Sequence, residues 1–207
     1  MTGSRSTEYY PLFLDVAGRE VVIVGGGAVS ARKAATMLHH GAKVTVVAPE
    51  ITTEIAGAQL IRKSYEAADL ENAFLVFAAT NDPAVNGRVA EDCRARRILV
   101  SVADAPALGD FIVPAIVESG PIRIAVSTSG SSPALARRLK DELQPFAELA
   151  QILGELRESA IASLPDAKPF FESLVHGGIL ELLREGKRDE AEARVRQLCE
   201  DAGVRRE

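Results

Sequence analysis

A glycine-rich turn is the first segment whose residue types and spacing could do chemistry. Gly25-Gly26-Gly27 follows the β-branched run EVVIV and precedes a segment with a helical pattern. Glycines let the backbone turn tightly and let a ligand approach it, and free N–H groups at a helix start attract negative charge. In this context the string Gly25-x-Gly27-x-x-Ser30 predicts a dinucleotide pyrophosphate site. A structural turn without a ligand is the alternative.

The segment after the next predicted strand bears on the choice of dinucleotide. In such sites an acidic residue about 20 residues beyond the glycines holds the ribose. Here the strand ends in Val47-Ala48-Pro49-Glu50, so the acid comes slightly late and a proline alters the turn. No Arg or Lys stands there to receive a 2′-phosphate, and we therefore expect NAD in preference to NADP.

A serine-rich loop at residues 127–133, STSGSSP, is the second candidate. Ser132 suits a helix N-cap and Pro133 suits the first helical position. Arg137 and Arg138 follow, although cations near a helix N-terminus oppose the macrodipole, and a bound polyanion would offset that cost. The loop predicts an anion site, with an ordinary serine cap and solvated arginines as the alternative.

Asp104 is the third candidate because it directly follows a predicted strand, ILVSV. Ligands of open α/β sheets bind beyond the carboxyl ends of the strands, and a carboxylate there can act as a general base. An aspartate that caps its own loop is the alternative, and Asp110 is a nearby rival. Thr80 and Asn81 follow another predicted strand and are expected on the cofactor side of the same cleft.

Alternating strands and helices must position these residues. Apolar runs predict buried strands at residues 20–24, 43–48, 59–62, 74–79 and 98–102. Helical patterns lie at residues 28–40 and 83–96. This order predicts an α/β fold with a Rossmann-like parallel sheet over residues 1–113. Residues 111–117 and 122–128 predict two strands joined by a tight turn, within a small hairpin and helix region at 114–145. Residues 146–207 predict a helical C-terminal region, with helix breaks near Gly154, Leu164-Pro165 and Gly177-Gly178.

Composition excludes several classes of protein. The 207 residues include 24 Lys+Arg and 29 Asp+Glu, a net charge of -5 that argues against a general nucleic-acid binder. Cys93 and Cys199 lie far apart and outside any CxxC, and with three histidines neither a disulfide framework nor a histidine metal centre is expected. No membrane span and no signal peptide are apparent. We expect a soluble, cytoplasmic protein.

Five segments together resemble one family. They are YYPLFLDVAGREVVIVGGGAVSARK, VTVVAPE, FLVFAATND, VADAP with FIVPAIV, and STSGSSPALARRL. They occur in the order typical of precorrin-2 dehydrogenases, the dehydrogenase and ferrochelatase module of siroheme synthases. The resemblance covers roughly residues 9–145.

The resemblance implies an NAD-dependent oxidation of precorrin-2 to sirohydrochlorin, which some members follow by inserting ferrous iron to give siroheme. It places the family's essential aspartate on Asp104. It implies cofactor contacts at Gly25, Gly26, Gly27, Ala28, Val29, Pro49 and Glu50. It assigns the serine-rich loop to the tetrapyrrole, whose carboxylates suit the anion site at Ser127, Thr128, Ser129, Gly130, Ser132, Arg137 and Arg138. Family members are homodimers, and we expect the contact on the strands predicted at 111–117 and 122–128.

Two other function classes stay open from the sequence. A non-catalytic NAD- or redox-sensing module could use the same fold, although a sensor needs neither Asp104 nor an arginine-flanked serine loop. A dehydrogenase of another small substrate is also compatible with the fold. The appearance of the sirohydrochlorin absorption spectrum on mixing protein, NAD and precorrin-2 discriminates among them.

Overall fold

The structure, a computed structural model of the chain, describes residues 9–53 and 55–204. It divides into two compact units, with the division between Val113 and Pro114. Among its described residues, the first unit contains five strands and two α-helices. They are β1 (Glu20–Val24), α1 (Ala28–His39), β2 (Lys43–Val47), β3 (Gln59–Ile61), β4 (Leu75–Ala78), α2 (Pro83–Arg96) and β5 (Leu99–Val102).

The five strands form one parallel sheet in the order β3-β2-β1-β4-β5. From β1 the chain builds outward to one side through β2 and β3, and then to the other side through β4 and β5. The strand order therefore reverses between β1 and β4, and a crevice at such a point is where ligands of this fold bind. The predicted Rossmann-like sheet is confirmed.

The central strand is buried on both faces, as its continuous apolar run predicts. Val22 and Val24 pack into one hydrophobic cluster together with residues of α2. Val21 and Ile23 pack into a second cluster, which includes Ala34 of α1. Because alternate side chains enter separate cores, β1 is fixed in register and the turn that follows it is held at a defined place.

The second unit begins with an antiparallel hairpin and continues as helices. The elements are β6 (Ala115–Ser119), β7 (Ile122–Val126), α3 (Pro133–Ser163), α4 (Lys168–His176), α5 (Ile179–Arg184) and α6 (Arg188–Ala202). Within the hairpin Glu118 stands opposite Arg123, and the two side chains form an ion pair at 2.6 Å. The predicted hairpin and helical tail are confirmed.

Two predicted details of this unit are wrong. A strand was expected from residue 111, but β6 begins at Ala115 because Pro114 has no N–H to donate to the ladder. A helix break was expected near Gly154, but α3 continues through it. A glycine inside a helix costs only about 1 kcal/mol, which the burial of Leu149 and Leu156 on the same helix outweighs.

The helix α3 also contains Pro145 and runs across the boundary expected between residues 145 and 146. The C-terminal helices close a separate hydrophobic cluster against it. In α6 the buried residues Ala191, Val195 and Cys199 recur every four positions and form the apolar stripe of an otherwise charged helix.

Candidate functional site

The glycine turn is fixed by close backbone contacts at its first two positions. Gly25 has φ +134°, a conformation open mainly to glycine, and a Cβ there would overlap the Ala79 carbonyl group. A Cβ on Gly26 would overlap the Glu50 carbonyl group. Both positions therefore need glycine for structural reasons, because the turn is packed between the ends of the neighbouring strands.

Gly27 differs from the other two because a Cβ on it would meet no atom within 4 Å. It is the N-cap of α1, no side chain caps this helix, and its first turn contains no acidic residue. The exposed residues Ala28 and Val29 form that first turn. An uncapped helix start with open space beside it fits a phosphate group, which would accept hydrogen bonds from the free N–H groups.

The N-terminus of α2 lies at the same edge of the sheet but is closed. The carboxylate of Asp82 accepts hydrogen bonds from the N–H groups of Ala84 at 2.8 Å and Val85 at 3.4 Å. This side chain satisfies the helix start and places a negative charge on it, so an anion would be repelled there. Of these two helix starts, only that of α1 is available to a pyrophosphate.

Ser30 occupies the position of the third glycine in the dinucleotide motif. It is completely buried, and its hydroxyl donates to the Ala79 carbonyl oxygen at 3.4 Å. Its small size allows α1 to pack closely on the end of β4, which is the role of the glycine it replaces.

Three chain segments leave the sheet side by side at its carboxyl edge. The N–H of Gly25 donates to Val47, the N–H of Ala79 donates to Val24 and the N–H of Ala103 donates to Ala78, at 2.8 to 2.9 Å. The ladder thus continues for one residue beyond the strands β1, β4 and β5. The residues that follow are Gly26, Thr80 and Asp104, which places the expected cofactor turn and the expected catalytic carboxylate on one edge.

Asp104 itself is exposed, and among the described residues its carboxylate has no hydrogen-bond or ion-pair partner. Its backbone has φ +60°, a left-handed conformation that few residues other than glycine adopt and that is less unfavourable for Asp and Asn. Because the carboxylate does not cap its own loop in this arrangement, the alternative structural role is not seen for Asp104.

The rival Asp110 has a structural role. Its carboxylate accepts a hydrogen bond from the Val100 N–H at 3.0 Å, and its own N–H donates to the Val100 carbonyl oxygen at 2.8 Å. These two bonds satisfy backbone groups on the outer edge of β5, which has no neighbouring strand in the sheet on that side.

The loop after β2 is attached to the glycine turn. Both the N–H and the hydroxyl of Thr52 donate to the Gly26 carbonyl oxygen, at 3.0 and 3.1 Å. Pro49 and Glu50 lie exposed between this attachment and β2. The attachment holds the Glu50 backbone against the turn, which is why Gly26 cannot carry a side chain.

A basic residue that the sequence argument did not consider follows the neighbouring strand, β3. The Ala48 N–H donates to the Ile61 carbonyl oxygen at 3.1 Å, so Arg62 follows β3 beside the end of β2. Lys63 is committed to ion pairs with Glu66 and Asp69. Arg62 is exposed and has no ion-pair partner among the described residues. Residues 48–50 alone do not indicate Arg62, because Arg62 follows a different strand, β3, which lies beside β2 only in the folded chain.

The turn after β4 was expected to contact the cofactor through Thr80 and Asn81. The N–H, carbonyl and hydroxyl groups of Thr80 are all hydrogen-bonded within the chain, chiefly to Asn86. Asn81 is exposed and has no hydrogen-bond partner among the described side chains. The sequence argument did not consider Asn86, although a polar residue beside the buried Val89 and Ala90 of α2 is a signal in the sequence.

The serine-rich loop belongs to the second unit, and three of its hydroxyls shape the loop itself. Ser127 accepts from the Ser129 N–H at 3.1 Å, and Thr128 forms hydrogen bonds to the backbone N–H and carbonyl of Ser132. The Ser132 hydroxyl caps α3 by accepting from the Leu135 N–H at 3.2 Å. Ser129 and Gly130 both have positive φ values, of 50° and 84°.

The two arginines that follow differ in their partners. Arg138 forms an ion pair with Glu142 one turn along α3, at 2.7 Å. Arg137 is exposed and has no ion-pair partner in the described part of the chain. Of the two, Arg137 is therefore the cation left for an external anion.

Within residues 9–53 and 55–204, no cluster of His, Cys, Asp and Glu side chains could hold a metal ion. Over the same residues, no helix is long and apolar enough to cross a membrane.

Family profiles match most of the chain. A family described as "Putative NAD(P)-binding" matches residues 12–115, and "Sirohaem biosynthesis protein central" matches residues 119–144. "Sirohaem synthase dimerisation region" matches residues 146–199, which lie C-terminal to the segment where the dimer contact was expected.

Individual relatives agree with the profiles. The siroheme synthase of Methylococcus capsulatus is 40% identical in sequence over 97% of the chain. That of Pseudomonas putida is 36% identical over 95% of the chain. The chain covers 45% and 46% of them, so it spans about half the length of these curated relatives. The solved structure of "SirC, precorrin-2 dehydrogenase" is 31% identical with a TM-score of 0.64, and the match covers 91% of this chain and all of that one. The chain belongs to the family of precorrin-2 dehydrogenases and siroheme synthases.

Proposed function

We propose that the chain catalyses the NAD-dependent dehydrogenation of precorrin-2 to sirohydrochlorin. The observation that carries the proposal is the sheet edge on which an uncapped helix start and an unpaired carboxylate both lie. The first fits a dinucleotide phosphate, and the second is a base that has no partner among the residues the structure describes. The similarity to the precorrin-2 dehydrogenase SirC supports the choice of substrate.

The cofactor would be held by the turn Gly25–Gly27 and by the first N–H groups of α1. Bound NAD supplies an acceptor for the hydride that leaves the substrate. NAD is proposed over NADP because residues 48–50 contain no cation, and the exposed Arg62 is the residue that would work against this preference. Glu50 would disfavour a 2′-phosphate by its charge.

Asp104 is proposed as the general base. Dehydrogenation removes a hydride with its electron pair and also a proton, and the carboxylate oxygen of Asp104 would accept that proton. A position just beyond a parallel strand, on a backbone held by the β4–β5 ladder, keeps the carboxylate in place without engaging it.

The tetrapyrrole is proposed to bind the serine-rich loop through its carboxylates. Arg137 would pair with one of them, and the exposed Ser129 stands beside Gly130, where the backbone turns. Carboxylate–guanidinium pairs are stronger than neutral hydrogen bonds, which suits a substrate with several acidic side chains.

Insertion of ferrous iron into sirohydrochlorin is a second proposed reaction. Two pyrrole N–H protons must leave as ferrous iron enters the macrocycle, and the exposed carboxylate of Asp104 would accept them one at a time, passing the first to solvent water before it takes the second. Iron is a substrate in this proposal, so it does not require a resident metal site.

We also propose that the chain forms a homodimer in the cytoplasm. The match of residues 146–199 to the sirohaem synthase dimerisation region supports a dimer. The hairpin β6–β7 is proposed to take part, because a two-stranded sheet has free edges that can accept another strand.

The test is conversion of precorrin-2 by the full chain with NAD, followed by the absorption spectrum of sirohydrochlorin. Asp104→Asn keeps the size of the side chain and its tolerance of positive φ but removes the base. We expect it to bind NAD normally and to lose about 10²–10⁴-fold in rate. Asp110→Asn is the matched control, which should retain activity. Full activity in Asp104→Asn would overturn the base assignment, and no turnover by the unmodified chain would favour a sensing module.

A further inference from the structure

We propose that Asn86 is a positioning residue of the cofactor site. It would act through Thr80 by fixing the turn at the carboxyl end of β4, so that the turn is ready to receive the dinucleotide. The inference rests on the proposed function, because it assumes that NAD binds at this edge of the sheet.

Three hydrogen bonds join Asn86 to Thr80. The amide oxygen of Asn86 accepts from the Thr80 N–H at 3.1 Å and from the Thr80 hydroxyl at 2.8 Å. The amide nitrogen of Asn86 donates to the Thr80 carbonyl oxygen at 3.1 Å. One side chain thus engages every polar group of a residue six positions earlier in the sequence.

Burial makes this arrangement specific. Asn86 is 6% exposed, and Val89, Ala90 and Cys93 on the same helix belong to the hydrophobic core. A buried amide is costly unless it is hydrogen-bonded, so the side chain has little freedom to leave Thr80. An apolar residue would be the simpler choice at this position if packing alone were required.

The position of Thr80 gives the bonds their functional meaning. Thr80 leaves the sheet between the glycine turn on β1 and Asp104 on β5. A dinucleotide held at the glycine turn with its reacting end toward Asp104 would pass this point. Because the polar groups of Thr80 are already engaged, the exposed Asn81 is the residue of the turn whose side chain is left for the ligand.

The same bonds keep the α2 start closed. The Thr80 hydroxyl also accepts from the Asp82 N–H at 3.1 Å. The Asp82 carbonyl oxygen, 3.0 Å away, is an alternative acceptor for the single hydroxyl proton that Asn86 receives in the shorter bond. Asp82 in turn caps α2. If Asn86 were removed, the turn would lose its main anchor, and the preorganised surface beside the glycine turn would be disordered before NAD binds.

The experiment compares Asn86→Ala with Val89→Ala, which removes a fully buried side chain from the same face of α2 without touching Thr80. NAD dissociation constants are measured by titration of the full chain, together with thermal unfolding. We expect Asn86→Ala to raise the dissociation constant about tenfold or more, a typical coupling for one broken network. Val89→Ala should lower the melting temperature and leave the constant unchanged. Equal effects of the two variants on NAD binding would show a purely structural role and overturn the proposal.

A second variant tests the contact from its other side and covers the case in which Asn86→Ala fails to fold. Thr80→Val keeps the shape of the side chain but removes the hydroxyl, and should also raise the NAD dissociation constant. In Thr80→Val the Michaelis constant for NAD should rise and that for precorrin-2 should not, because the proposed effect is confined to the cofactor. An unchanged NAD dissociation constant in Thr80→Val would contradict the proposal. Failure of the unmodified chain to bind NAD would instead contradict the proposed function itself.

Discussion

Replacing Gly27 with Asp should stabilise the chain and at the same time weaken NAD binding. Gly27 is the N-cap of α1, with φ -91° and ψ -175°, an extended conformation in which a capping aspartate is unstrained. A Cβ there would meet no atom within 4 Å, so the substitution needs no rearrangement. The carboxylate would accept from the N–H groups of Val29 and Ser30, as Asp82 does at the start of α2.

The two effects have opposite signs and different sizes. Asp exceeds Gly as an N-cap by a few tenths of a kcal/mol, and its charge adds about 0.3–1 kcal/mol through the helix dipole. The free energy of unfolding should therefore rise by about 0.5–1 kcal/mol, or about 1–4 °C in melting temperature. A pyrophosphate would lose two charge-assisted hydrogen bonds of at least about 1.5 kcal/mol each, which weakens NAD binding about 100-fold or more.

Thermal unfolding without ligand and calorimetric titration with NAD measure the two effects on the same protein. Gly27→Ala separates bulk from charge, because it adds a methyl group and no cap, and it should weaken NAD binding less than Gly27→Asp does. A stabilised Gly27→Asp protein that binds NAD as tightly as the unmodified chain would refute the assignment of the pyrophosphate to α1. A destabilised protein would refute the described geometry of the cap.

Three further predictions concern other groups. Arg137→Ala should weaken sirohydrochlorin binding about tenfold or more. Arg138→Ala should weaken it much less, because Glu142 already engages the Arg138 guanidinium. Fluorescence titrations at low and high salt measure both affinities, and equal effects of the two variants would contradict this distinction. Arg62→Glu should weaken NADP binding and spare NAD in parallel titrations, whereas an unchanged NADP affinity would remove Arg62 from the site. Burial raises the pKa of the Cys93 thiol to about 12, so above about pH 9 the unfolded chain loses a proton that the folded chain keeps. The free energy of unfolding in urea should therefore fall as pH rises between about 9 and 12, by up to about 1.4 kcal/mol per pH unit. It should fall less steeply in Cys93→Ala, and an equal slope in the two proteins would contradict this prediction.

The sheet was predictable because its strands are coded locally. Residues 21–24 and 44–47 are continuous β-branched runs, and a helix of the right length lies between them. Such runs are buried on both faces only in a parallel sheet covered by helices, so the pattern specifies the fold as well as the strands. The glycine turn was predictable for the same reason, because the strand β1 and the helix α1 that flank it are both visible in the local sequence.

The residues that were missed depend on contacts between distant segments. Arg62 lies beside the end of β2 only because β3 pairs with β2. The engagement of Asp110 by Val100 was equally hidden, because a spacing of ten residues does not reveal which carboxylate folds back on the strand. The local sequence pattern thus indicates two candidate aspartates, Asp104 and Asp110, and the hydrogen bonds in the structure distinguish them.

Pairs of like groups within this chain distinguish the proposed site residues from structural ones. α1 starts with an open glycine, whereas α2 starts with a capping aspartate. Within the described part of the chain, Asp104 is unpaired whereas Asp110 holds an edge strand, and Arg137 lacks a partner whereas Arg138 pairs with Glu142. In each pair the satisfied member shows that the sequence can supply an internal partner to such a group. The unsatisfied member forgoes that stabilisation, which a ligand would restore. Free N–H groups call for an anion, a free carboxylate for a proton and a free guanidinium for a carboxylate, and an acidic tetrapyrrole oxidised with a dinucleotide supplies all three.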